Sequence, residues 1–156
     1  MARDAIRMPP DRARLPCPYC GGWAHLMDSA TVYRVHLGWM YRCIPCDAYV
    51  GCHRGTTKPL GTPADKRTRK LRRQAHAHFD PLWREKAGRG GNTARADGYA
   101  WLAREMGLSL DECHIGMMGA EQCRQVVRLC KPWLVRHPYN PGIPPGPPAY
   151  DPNRPD

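Results

Sequence analysis

The sequence predicts an α+β chain: a small β module clamped by cysteines near the N-terminus, then a helical region that carries most of the charge. Three observations predict it. CPYC at 17–20 returns as CIPC at 43–46. Short runs rich in aromatic and branched residues lie between and after these pairs. From residue 62 onward, apolar residues recur at helical spacing.

At 156 residues the chain holds one modest core or two small modules. Its organisation reads as a basic arm at 1–16, a cysteine module at 17–55, a helical region at 56–131 and a proline-rich tail at 132–156. One Phe, five Trp and seven Tyr are few aromatics for a core, so a small module gains from a staple, and eight cysteines supply the material. The start, MARDAIRMPPDRAR, is charged at once and has no apolar stretch of signal-peptide type. No later run is long enough to cross a bilayer. The expected location is the cytoplasm, where thiols stay reduced and paired CxxC motifs favour metal over disulfide.

In the cysteine module, WAHLMD (23–28), GWMYRC (38–43) and DAYVGCH (47–53) read as short strands, with a hairpin loop at 29–38. Folding that hairpin brings Cys17, Cys20, Cys43 and Cys46 together as four thiolates, a closed tetrahedral set with no open coordination position. Such a set suits a structural zinc ion, one per chain, and also accepts iron. Gly21 and Gly22 let the first knuckle curl its amides toward sulfur. The second pair is followed by Asp47 and Ala48, so its amide bonding has less local support. A zinc ribbon of short antiparallel strands with two CxxC knuckles is the module this predicts.

A helix is expected from Thr62 to Phe79, with Thr62 as cap, Pro63 in the first turn and Asp65 at the positive end. Leu71, Ala75 and Phe79 form its buried stripe, and Pro81 ends it. Lys66, Arg67, Arg69, Lys70, Arg72 and Arg73 make it strongly basic. REKAGRGGN (84–92) reads as a glycine connector, and its single RGG carries no further meaning. A second helix is expected over 93–106, with Tyr99, Leu102, Ala103 and Met106 on one face and Gly107 as its stop. Ser109 and Glu112 have capping-box spacing. A last helix over 120–131 presents Cys123, Val126, Val127 and Cys130 and closes at Pro132. The tail beyond Pro138 is too proline-rich to join a core.

The net charge of +10 is concentrated: residues 54–95 hold twelve Lys or Arg against Asp65, Asp80 and Glu85. A field so localised attracts polyanions, and nucleic acid is the commonest one in a cytoplasm. The plain alternative is a solubilising face. Phosphate contacts from the basic helix would give affinity without choosing between DNA and RNA, with Trp83 or His76 placed to stack nearby. The helices at 93–106 and 120–131 are joined by too long a segment, DECHIGMMG, for a tight helix-turn-helix.

Cys52–His53 and Cys113–His114 form two Cys-His dipeptides. With His76, His78, Cys123 and Cys130 nearby in type, they are candidates for a second metal site. The plain reading makes the cysteines small core residues and the histidines packing or surface groups. His53, His76 or His78 with Asp80 would be a nuclease-like acid-base group. But histidines two apart on a helix diverge, and carboxylates are too few for a phosphodiester-cleaving metal centre. The expected activity is therefore non-enzymatic.

Taken together, CPYCGG, CIPCDAYVGCHRGT, PLGTPAD, AHAHFDPLW, YAWLAREMGL and ECHIGM followed by QCR resemble a zinc-finger-containing domain family found mainly in bacteriophages and prophages. The resemblance spans about residues 17–130. It implies zinc at Cys17, Cys20, Cys43 and Cys46, work inside a bacterial cell, and more weight for Cys52, His53, Cys113 and His114. The chain departs from the family at MMGAEQC, where an aromatic usually follows IGM, and in its tail. Two other roles fit a phage protein: an accessory factor that binds a host transcription or defence protein, and a structural virion component. The first would use Tyr19, Trp23, Tyr33, Trp39 and Tyr49 as docking groups and the tail as an extended ligand.

Overall fold

The computed structural model of the protein describes residues 5–84 and 91–135. Of the connector expected at 84–92, residues 85–90 lie outside the described residues, as does the tail from 136, while Arg84 ends one helix and Gly91 opens the next. Strands β1 (Arg14–Pro16), β2 (Trp23–Asp28), β3 (Trp39–Cys43) and β4 (Ala48–Gly51) come first, with a short helix α1 (Ala30–Tyr33) between β2 and β3. Helices α2 (Lys66–Arg84), α3 (Gly91–Met106) and α4 (Ala120–Val135) follow, with a 3-10 turn at Ile115–Met117 before α4. The chain divides into two compact units, Met1–Arg69 and Lys70–Asp156. This is the α+β organisation that the sequence predicts.

In the first unit the four strands form one antiparallel sheet in the order β1-β2-β3-β4. The three expected strands are β2, β3 and β4. The fourth, β1, rises from the arm and pairs Arg14 with His25 and Pro16 with Trp23. Its proline is tolerated because the strand lies at the sheet edge. Strand alternation sends Leu15, Ala24, Leu26, Tyr41, Cys43, Ala48 and Val50 to one face, where they pack with Cys17 into a core. The far edge is covered by residues 59–64, which bridge to β4 through Tyr49–Ala64 and to the residue just after it through Cys52–Pro59.

Asp28 closes the β2–β3 hairpin. Its buried carboxylate accepts hydrogen bonds from the backbone N–H of Arg7 (2.8 Å) and Ala30 (2.8 Å) and lies 2.7 Å from His36 Nδ1. Burial opposes its ionisation, but these donors outweigh that penalty and hold the carboxyl below its ordinary range.

α2 starts four residues later than Thr62 suggests, because Ala64 is taken into the edge pairing with Tyr49. Asp65 becomes the cap instead, its Oδ1 accepting from the Thr68 N–H at 2.8 Å. Nor does the helix end at Pro81: it runs on to Arg84, and α4 likewise runs through Pro132 to Val135. Counting about 100° per residue, Pro81 lies on the side of α2 away from Ala75 and Phe79. Pro132 lies opposite Cys123 in α4 by the same count. Each proline gives up a backbone bond on the outer side, while Leu82 and Trp83, or Trp133 and Leu134, continue the apolar stripe.

The core of the second unit contains Ala75, Phe79, Leu82, Trp101, Leu102, Ile115, Met118 and Val126, together with Cys113, Cys123 and Cys130. Gly98 permits a close approach inside it. A Cβ there would meet Trp83 Cβ at 3.1 Å and Phe79 Cζ at 3.4 Å. The capping box forms as spaced: the Ser109 N–H donates to Glu112 Oε2 at 3.1 Å, and the Glu112 N–H donates to Ser109 Oγ at 3.3 Å. It heads a single turn and not a longer helix.

Candidate metal centre and the helix it holds

Cys17, Cys20, Cys43 and Cys46 come together as expected, with all four sulfurs within 4.8 Å of one another. Cys20 Sγ and Cys43 Sγ are 3.7 Å apart. A tetrahedron with zinc–sulfur bonds of about 2.3 Å has edges of about 3.8 Å, so the Cys20–Cys43 separation matches such an edge and no other pair exceeds it by more than about 1 Å. Among the described residues this is the one His, Cys, Asp and Glu group placed to hold a metal.

The charge chemistry points the same way. Burial raises the Cys17 thiol, yet the Tyr19 and Cys20 amides and the neighbouring thiols bring it down to about 7. Cys46 is pushed up to about 12 by its interaction with Cys20 and by burial. Four sulfurs this close cannot all become thiolates unless a cation neutralises them, and a divalent ion does so. The site is therefore positioned to bind one zinc ion.

Both knuckles curl in the same way. The residue after each second cysteine is left-handed: Gly21 at φ 70° and Asp47 at φ 46°. Glycine takes this conformation without strain, and aspartate tolerates it better than most residues. The first knuckle turns the Gly22 N–H to Cys20 Sγ at 3.4 Å. In the second, the Cys46 backbone N–H favours the thiolate of Cys43. The second knuckle is thus built without the glycines.

Each knuckle also grips the first turn of α2. Tyr19, inside CPYC, accepts a hydrogen bond from the Asp65 N–H at 3.1 Å and donates to Thr68 Oγ1 at 2.9 Å. With the Asp65 cap this closes a small ring of bonds. From the other knuckle, the Asp47 carbonyl accepts from Arg69 Nη1 at 2.7 Å, and Ala64 O accepts from the same nitrogen at 2.6 Å. The Arg69 guanidinium also lies 3.7 Å from the Tyr49 ring centroid and pairs with the Asp47 carboxylate at 3.6 Å. The metal site thereby fixes where the basic helix begins.

The six cations of that helix divide into two groups. Arg69 is committed to the fold, and Arg72 Nε donates to Met118 O at 3.0 Å. Lys66, Arg67, Lys70 and Arg73 are exposed. Lys66, Lys70 and Arg73 fall within an arc of about 60° opposite Ala75 and Phe79, and Arg67 flanks them. This ridge has no acidic residue in its first turn.

The remaining candidates do not gather into a second such group among the described residues. Cys52 packs against the core of the first unit, and His53 is exposed beside it. Cys113 is fully buried in the second core, where burial pushes its thiol up to about 11, and Cys130 is raised to about 12 in the same way. Such thiols stay protonated and act as small apolar groups. His114 lies against Tyr99, ring centroids 5.9 Å apart. His76 pairs with Asp80 at 3.2 Å, whereas His78 Nδ1 lies 2.8 Å from the Gln74 carbonyl, so the two histidines diverge. Trp83 packs onto the second core.

A four-stranded sheet carrying two CxxC knuckles over a tetrathiolate site defines a small metal-binding protein of the zinc-finger class. Residues 13–132 match the family profile of a zinc-finger-containing domain. The chain belongs to that family. No curated protein and no solved structure shows a significant match to it. No helix among the described residues is long and apolar enough to cross a membrane.

Proposed function

We propose that the protein is a non-enzymatic zinc-ribbon protein of phage type that binds nucleic acid in the bacterial cytoplasm through the outer ridge of α2. One observation carries this reading. Lys66, Lys70 and Arg73 are exposed on the side of α2 opposite its buried stripe with Arg67 exposed beside them, and the helix start that bears them is held by both zinc knuckles. Cations at this spacing reach successive phosphates, and the partial positive charge of the helix N-terminus adds to their pull. A metal-binding set of paired cysteines suits a cytoplasmic setting, where thiols stay reduced, and the family resemblance supports the phage assignment.

If all four cations neutralise phosphates, the log–log salt slope on duplex DNA is about −3.6. Affinity then falls about 150-fold between 50 and 200 mM salt. Fluorescence anisotropy on a labelled duplex measures both. Replacing Lys66, Arg67, Lys70 and Arg73 together with Gln should flatten the slope while zinc content is kept. Salt-sensitive binding that survives those changes overturns the reading.

A further inference from the structure

The sheet face turned away from the core carries a row of cationic and aromatic side chains. The register sets it out strand by strand: Arg14 on β1 lies opposite His25 on β2, His25 opposite Arg42 on β3, and Arg42 opposite Tyr49 on β4. At about 4.8 Å per strand the row is about 14 Å long. Its Tyr49 end is closed, with Arg69 over the ring face at 3.7 Å and Tyr33 at the ring edge, centroids 6.2 Å apart. Arg42 is half-buried and tied to Asp47 at 2.9 Å. The β1–β2 end is open. There Trp23 is 46 % exposed, His25 and Arg14 are exposed, and the Arg14 guanidinium lies 4.1 Å from the Trp23 ring centroid.

Resting on the nucleic-acid reading above, we infer that this open end, Trp23 with His25 and Arg14, is a stacking platform for the bases of a single-stranded nucleic acid. An indole on a strand costs little entropy to present, and every base has a π-face to lay on it. The Arg14 guanidinium is a second flat surface for a base and a contact for its phosphate. A duplex keeps its bases stacked inside, so it gains nothing from such a platform. The ring partner of Trp23, Arg14, belongs to the platform itself, whereas Tyr19 is held by Asp65 and Thr68, Tyr33 and Tyr49 by each other, and Trp39 by His36 at 5.5 Å.

The test compares a labelled 12-nucleotide oligothymidine with a 12-base-pair duplex, using the zinc-loaded full chain. Trp23→Ala should weaken binding to the single strand by about 5- to 150-fold, the range for losing one base–aromatic stack, and leave duplex affinity unchanged. Trp23→Phe should restore most of the loss. Zinc content equal to wild type shows that the fold is intact. Unchanged single-strand affinity in Trp23→Ala, or an equal loss on both ligands, overturns the platform while the ridge reading stands. If wild type binds neither ligand, both fall together.

Discussion

Arg69 and Arg73 lie one helical turn apart on α2, yet they should behave as opposites. Arg69 donates to two backbone carbonyls, at 2.7 and 2.6 Å, lies over Tyr49 at 3.7 Å, and its side chain is only 16 % exposed. Each charge-assisted bond is worth about 1.5–3 kcal/mol when broken, and the ring contact adds about 1 kcal/mol. These terms overlap, so Arg69→Gln should destabilise the first unit by about 3 kcal/mol. Its effect on the salt slope should be negligible, because its charge already serves Asp47 and two carbonyls. Arg73→Gln should leave stability unchanged and move the slope from about −3.6 to about −2.7, the loss of one phosphate contact. Urea unfolding gives the first quantity and anisotropy at graded salt gives the second. If Arg69→Gln moves the slope as far as Arg73→Gln does, at unchanged stability, the division of the helix into bound and outward cations is wrong.

Cys43→Ser should release the metal and melt the sheet, while far-UV circular dichroism retains the helices of the second unit, which have their own core. Asp28→Asn should lower stability at pH 7 by about 2 kcal/mol, since an amide cannot accept from all three donors. The folded carboxyl titrates below the unfolded 3.8. Its contribution is therefore complete above that pH and lost as pH falls through the depressed folded value. The urea-midpoint gap between the two proteins should narrow over that acid window and stay constant above it. At Gly98, alanine gains about 0.5–1 kcal/mol of helix propensity but meets Trp83 Cβ at 3.1 Å. That atom is fixed to its own helix, so overpacking of about 1–3 kcal/mol should win. A higher melting temperature for Gly98→Ala would contradict this.

The knuckles and β2–β4 were legible because thiol pairs and strand alternation are local patterns that the fold leaves intact. β1 was not: RLP is three residues long, ends in proline, and is a strand only because β2 offers it an edge. Thr62 and Pro63 look like a helix start, but the demand of β4 for an edge partner claims Ala64 and passes the cap to Asp65. Pro81 and Pro132 read as stops because sequence spacing marks the lost hydrogen bond more plainly than the apolar stripe that continues past it. The basic cluster was visible as charge, but its division was not. The partners of Arg69 and Arg72 are carbonyls at Asp47 and Met118, distant in sequence, and no local pattern announces them. The row on the open sheet face was hidden for the same reason, since only strand register aligns Arg14, His25 and Arg42.

The most direct test adds zinc in steps to metal-free, reduced protein while following its affinity for a labelled oligonucleotide at fixed salt. Affinity should rise with the first equivalent and level off at one zinc per chain, as the four thiolates close and pin Asp65, Thr68 and Arg69. Full affinity before any metal is added, or a rise that continues to a second equivalent, would contradict the account.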